Sequence, residues 1–166
     1  MTKIIALSKQ KIPAIIFTVL TAILVAFIWL HSLAPAKVSE GESSNILGIL
    51  QGLLNSLHID TELTSYIIRK SAHFCEFAAL GAMVTATFKL YAEKISKFYF
   101  HILFILLAVP VVDEGLQYLA EGRSPQVNDV LLDFSGCVTG MLFALIVIVI
   151  VRSFSKRKNK KQGVCD

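Results

Sequence analysis

The sequence predicts an all-α membrane protein of about four transmembrane helices, with both termini cytoplasmic and a short interfacial helix on the outer side. Three observations carry this expectation. Hydrophobic residues make up 55% and charged residues 17% of the 166, an imbalance that excludes an ordinary soluble domain. The apolar residues are gathered into long segments. Lysine and arginine alternate in abundance from one connection to the next.

Taking the segments in order, "IPAIIFTVLTAILVAFIWLHSL" (Ile12 to Leu33) and "VLLDFSGCVTGMLFALIVIVIV" (Val130 to Val151) each exceed the roughly 20 residues that a spanning helix needs. "SAHFCEFAALGAMVTATFKLY" (Ser71 to Tyr91) and "FYFHILFILLAVPVVDEGLQYLA" (Phe98 to Ala120) have the length but carry ionisable residues. Their circumference is otherwise almost free of charge, which argues against the helices of a soluble bundle. The first segment follows Lys3, Lys9 and Lys11 and ends in "SLAPAKVSEG", a pattern that a cleaved signal peptide would share. The apolar run is longer than a usual signal core, and the other three helices keep their orientation either way.

The basic residues set that orientation. Lys3, Lys9 and Lys11 precede the first segment, Lys89, Lys94 and Lys97 lie between the second and third, and Arg152, Lys156, Arg157, Lys158, Lys160 and Lys161 follow the fourth. The other connections hold only Lys37, Arg69, Lys70 and Arg123. The basic side belongs in the cytoplasm. Residues 1–11 then form a cytoplasmic segment, 12–152 the membrane domain and 153–166 a basic cytoplasmic tail. The tail lacks aromatic interleaving and follows directly on a span, so it reads as a topological anchor that attracts anionic lipid and not as a nucleic-acid site.

Between the first two spans, "APAKVSEGESS" reads as a flexible polar link. "NILGILQGLLNSLHI" follows with a broad apolar face, too short to span, and reads as the interfacial helix. Trp29 and Tyr118 fit interfacial anchoring. His31, His58 and His101 lie at helix ends or in the interfacial segment, where position explains them without chemistry. Cys75, Cys137 and Cys165 have no paired spacing, so neither a disulfide nor a cysteine metal framework is indicated.

The chemistry concentrates where the last three spans meet the outer face. Glu114, Gln117 and Glu121 are spaced to share one helix face, with Asp113 about 100° round from Glu114 and Pro110 one turn earlier loosening the backbone ladder. His73 and Glu76 come from the outer end of the second span, and Asp129 and Asp133, one turn apart, from that of the fourth. An ionised carboxylate facing lipid costs about 2.5–3.5 kcal/mol at mid-membrane on insertion-type scales. These groups therefore face one another, around an outward-opening polar pocket. Arg123, in the tight loop "EGRSPQVND", is its natural counter-ion and a fork for carboxylate or phosphate. Gly81, Gly136 and Gly140 allow close packing between helices.

Within this set His73, Glu76, Asp113 and Glu114 are the catalytic candidates, and Gln117, Arg123, Asp129 and Asp133 the ligand-binding ones. A carboxylate-rich site at His73, Glu76 and Glu114 is compatible with a divalent metal, although no cofactor is indicated by a recognised motif. The bland alternative is a polar network that only locks three helices together.

The blocks "KSAHFCEFAALG", "DEGLQYLAEGRSPQVNDVLLD" and "GCVTG" resemble the VanZ-like family of bacterial membrane proteins, from about Arg69 to Gly140. The family pattern falls on His73, Glu76, Gly81, Asp113, Glu114, Gln117, Gly122, Arg123, Asp129, Gly136 and Gly140. Where many members carry an asparagine, this chain has Asp133, which puts in doubt any role for a neutral amide donor there. The resemblance implies a small integral protein of the cell envelope, in a family named for a protein associated with glycopeptide antibiotic resistance, chiefly to teicoplanin. The expected function is recognition of a cell-wall precursor, lipid head group or glycopeptide-related ligand at the plasma membrane. Alternatives are a hydrolase of a lipid-linked or peptidoglycan substrate, with Glu114 and His73 as acid and base, and a structural partner of another membrane protein. Membrane lipids are partners in every case; nucleic acid is in none.

Overall fold

The computed structural model describes residues 2–59, 62–92 and 94–162, with side chains for 12–59, 62–92 and 94–155. Five helices account for almost all of this: α1 (Thr2–Ser32), α2 (Ala36–Ser56), α3 (Ser65–Tyr91), α4 (Tyr99–Gln117) and α5 (Val127–Gln162), with a 3-10 turn at Ile95–Phe98 leading into α4. No strand occurs among the described residues. The side chains of Lys3, Lys9, Lys11 and of the tail lysines and arginine from Lys156 to Lys161 lie outside the described side chains. Cys165 lies outside the described residues.

Three helices are long and apolar enough to cross a membrane: Ile12–Ser32, Ile95–Gln117 and Val127–Ser155. Their outward faces carry Ile15, Phe27, Leu30, Phe104, Leu131 and Phe143, each more than half exposed, as a lipid-facing surface requires. With 27 residues α3 is also long enough, but Arg69, Lys70, Glu76 and Lys89 interrupt its apolar run.

The packing is densest where α3 crosses α5, and small residues are the reason. A Cβ on Gly81 of α3 would run into the backbone carbonyl of Cys137 on α5, and one on Gly140 into that of Ala78 on α3. On Gly136 it would lie 2.6 Å from the carbonyl oxygen of Phe74. The backbones therefore approach one another directly, which strengthens van der Waals contact where lipid offers no hydrophobic drive. Ile28, Phe77, Leu80, Val84, Ile102, Leu106, Val109 and Cys137 form one buried cluster contributed by α1, α3, α4 and α5. On the side of the bundle remote from Ser32, α1 is tied to α3 by hydrogen bonds of 3.1 Å between Thr18 and Tyr91 and between Thr21 and Thr87.

Two expectations are corrected. The stretch "AKVSEGESS" is no flexible link, because it forms the first turns of α2. Pro35 supplies a fixed φ of −54° before the helix, its carbonyl accepts from the N–H groups of Val38 and Ser39, and the small Ser39 and Ser43, one turn apart, are buried. Trp29 is not simply an interfacial anchor, since it packs against the core and donates its indole N–H to the Val109 carbonyl at 3.4 Å. That carbonyl, next to Pro110, is thus engaged by α1, and α4 continues as helix through the proline.

Helix ends follow known rules. The Thr64 side chain accepts from the Ile67 N–H at 3.3 Å and caps α3. At the end of α2, His58 takes φ 56°, and the N–H groups of Ile59 and His58 return to the carbonyls of Leu54 and Asn55, a Schellman arrangement.

Substituting Gly81 or Gly140 by alanine should force α3 and α5 apart. The expected cost is about 1–3 kcal/mol, as for an overpacked core, seen as a lower unfolding temperature of the detergent-solubilised protein. Gly48→Ala, where a Cβ meets nothing within 4 Å, should leave that temperature unchanged or raised.

Candidate functional site

The connections place one end of every helix at the same end of the bundle. Ser32 closes α1, Ala36 opens α2, Arg69 to Glu76 occupy the first half of α3, Asp113 to Gln117 close α4, and Asp129 and Asp133 open α5. The polar side chains of this end enclose a cavity of about 140 Å³. From α3 it is lined by Tyr66, Arg69, Lys70 and His73, which at spacings of three, one and three residues share a helix face. Gln117 of α4, Asp129 and Asp133 of α5, and Gly122, Arg123, Ser124 and Gln126 of the intervening loop complete it together with Ala36.

Behind this lining, and not part of it, Asp113 is fully buried. The Ser32 hydroxyl donates to its Oδ1 at 2.6 Å and the Gln117 amide to its Oδ2 at 3.1 Å. Asp133 is equally buried, with Oδ1 3.9 Å from His73 Nδ1 and Oδ2 without a hydrogen-bond partner. One donor atom each from His73, Asp113 and Asp133 lies within 4.8 Å of the other two. The metal-compatible set is therefore not the one expected from spacing: Glu76 and Glu114 are outside it, and Asp113 and Asp133 take their places.

Glu114 turns toward the loop, where its Oε1 accepts from the Gln126 N–H at 2.6 Å while Oε2 is buried and unpartnered. Glu76 faces His31 at 3.8 Å, and the other ring nitrogen of His31 is 3.2 Å from Glu42 of α2. Lys70 pairs with Asp129 and lies 5.4 Å above the Tyr66 ring. Asp129 is thus held by α3 and not by Arg123, and no carboxylate among the described residues pairs with Arg123.

Glu121 does not extend the face of Glu114 and Gln117. Helix α4 ends at Gln117, and the Leu119 and Ala120 N–H groups return to the carbonyls of Leu116 and Gln117 in tight turns. The exposed Glu121 instead offers its backbone carbonyl to the Ala36 N–H at 3.0 Å. Gly122 follows with φ 73°, a conformation that glycine adopts without strain. The turn directs Arg123 into the cavity, where its Nη2 is buried without a partner. Burial and the like charge of Arg69 hold the guanidinium below its ordinary pKa range, while Asp113 and Glu114 act in the opposite direction.

Sequence reasoning missed Ser32, the Gln126 N–H and His31 as members of this end. Ser32 and His31 had one signal: they close the first span at the level where Asp113 closes the third. Lys70 was legible as a neighbour of His73 one turn outward, but nothing in its spacing ties it to Asp129.

Ser32→Ala should remove the donor to a fully buried carboxylate oxygen. An unfolding free energy lower by about 1–3 kcal/mol is expected, measured by denaturant or thermal unfolding in detergent. Ser44→Ala, whose hydroxyl bonds only its own helix on an exposed face, should change little.

Comparison with known proteins agrees with the motif pattern. The VanZ/LLP1 family model matches residues 17–150, most of the chain and every element that forms the cavity. Searches of curated proteins and of solved structures returned no match. With three membrane-capable helices, this polar end and a family match of that extent, the chain is a multi-pass membrane protein of the VanZ/LLP1 family.

Proposed function

We propose that the cavity faces the extracytoplasmic side of the bacterial plasma membrane and recognises an anionic head group, on a lipid or a lipid-linked cell-wall precursor. The observation that carries this reading is the Arg123 guanidinium, aimed into the cavity with a buried, unpartnered nitrogen beside Arg69 and Lys70. A buried donor left unpaired costs about 1–3 kcal/mol, and a phosphate or carboxylate oxygen would relieve that cost with a charge-assisted bond. Gln117, Ser124 and Gln126, which line the cavity, supply neutral polar side chains to orient such a ligand.

In this reading α3 is the fourth span. Its Arg69 and Lys70 stand at the outer end with the cavity, and Lys89 at the other. The direction rests on the basic residues. Only Lys37, Arg69, Lys70 and Arg123 belong to the cavity end, whereas twelve others belong to the opposite end and its flanking segments, which the positive-inside rule places in the cytoplasm. A membrane position near the mouth suits a ligand that is itself embedded in the outer leaflet.

Two measurements test these statements. Arg123→Ala should weaken retention of phosphatidylglycerol, relative to phosphatidylcholine, about tenfold or more in native mass spectrometry. Equal retention by the parent and the variant would sink the anion reading. With Cys75, Cys137 and Cys165 replaced by serine, Ser124→Cys should react with a membrane-impermeant maleimide in intact cells and Lys97→Cys only after permeabilisation; the reverse pattern would invert the topology.

A further inference from the structure

We propose that His73, Asp113 and Asp133 form a binding site for one divalent first-row transition ion, of which Zn²⁺ is the probe ion. His73 and Asp133 line the cavity and Asp113 lies behind them, and the inference does not depend on the anion that the cavity takes.

Geometry is the first ground. The three donors come from three different helices, α3, α4 and α5, yet one ligand atom of each lies within 4.8 Å of the others. Donors bonded at about 2.0–2.2 Å to a single ion stand about 3.0–3.5 Å apart, so the set is already near the spacing that one ion requires. The His73 Nδ1 to Asp133 Oδ1 separation is already 3.9 Å.

Charge is the second. Asp113 and Asp133 are 0% and 1% exposed, and the two donors to Asp113, Ser32 and Gln117, are neutral. Lys70 is engaged with Asp129, and Arg123 forms an ion pair with neither Asp113 nor Asp133 among the described residues. Two carboxylates out of water with no cation bonded to them are costly, and a doubly charged ion balances both.

The third ground is the Asp133 Oδ2 atom, buried with no hydrogen-bond partner on a residue that lines the cavity. Ser32 and Gln117 meanwhile take one lone pair from each oxygen of Asp113, and so fix its orientation as outer-shell donors do around metal ligands. His73 and Asp133 both face the cavity, so the ion keeps a coordination position open to water or to an oxygen of a bound molecule. One imidazole with two carboxylates suits a first-row transition ion better than Ca²⁺ or Mg²⁺, which take oxygen ligands.

The test uses the full chain in detergent, stripped with chelator, dialysed and titrated with Zn²⁺, with bound metal counted by elemental analysis. One equivalent should bind to the parent protein. His73→Gln and Asp133→Asn should each weaken binding by about 10–100-fold or more, and Ser32→Ala, which removes only the outer-shell donor, by about 10–100-fold. Glu42→Gln should leave it unchanged. X-ray absorption on the unmodified zinc-loaded protein should show nitrogen and oxygen ligands and no sulfur, a readout that needs no variant to fold. No bound zinc in the parent, undiminished binding by folded His73→Gln and Asp133→Asn variants, or sulfur ligation would each overturn the site.

Discussion

Asp113 is the constraint around which this end of the molecule is organised. A carboxylate one turn beyond a proline in an apolar helix can face neither lipid nor an apolar core without great cost, so its surroundings must be polar and protein-made. The chain meets that demand with one hydroxyl from α1, one amide from α4 itself, and the neighbouring groups of His73 and Asp133 from α3 and α5. Four helices are thereby held to a common level. Because the donors come from different elements, the level of one helix cannot slip without stranding a buried polar atom on another.

The glycine contacts between α3 and α5 make that arrangement reachable. His73 is one residue from Phe74, whose carbonyl meets Gly136, and Asp133 is three residues before Gly136. The close approach of the two backbones brings imidazole and carboxylate together a turn above the first small-residue contact. Larger side chains at Gly81, Gly136 or Gly140 would widen the gap and draw the two polar groups apart. Packing in the apolar half and electrostatics in the polar half are in this sense one feature, set by the same crossing.

Much of this was legible in the residues. The apolar segments, the glycines suited to helix contact and the positive-φ turn at Gly122 follow from length, side-chain size and loop chemistry. Which carboxylate sits deepest did not, because Asp113 and Glu114 are adjacent and spacing alone cannot say which one the bundle faces. The i, i+3, i+7 relation drew Glu121 onto the face of Glu114 only on the premise that α4 continued, whereas the turn after Gln117 ends it. Likewise the polar run "AKVSEGESS" has a loop's composition. Its helical state comes from outside, through Pro35 and the contacts that bury Ser39 and Ser43.

The loop that carries Arg123 shows how a short irregular segment becomes a defined part of a site. Its start is held by the Glu121 carbonyl on the N–H of Ala36, its middle by the Arg123 N–H on the Ala120 carbonyl at 3.3 Å, and its end by the Gln126 N–H on Glu114. Between the first two anchors Gly122 bends the chain, with the Ala36 methyl where a side chain would meet it at 3.4 Å. Arg123 therefore enters the cavity from a backbone with little freedom left to lose, so an anion that binds it need not spend much of its interaction energy on ordering the loop. Because the first anchor belongs to α2 and the last to α4, the guanidinium is placed by α2 and the buried acidic cluster together. The polar link expected from composition is in fact part of what positions the cation.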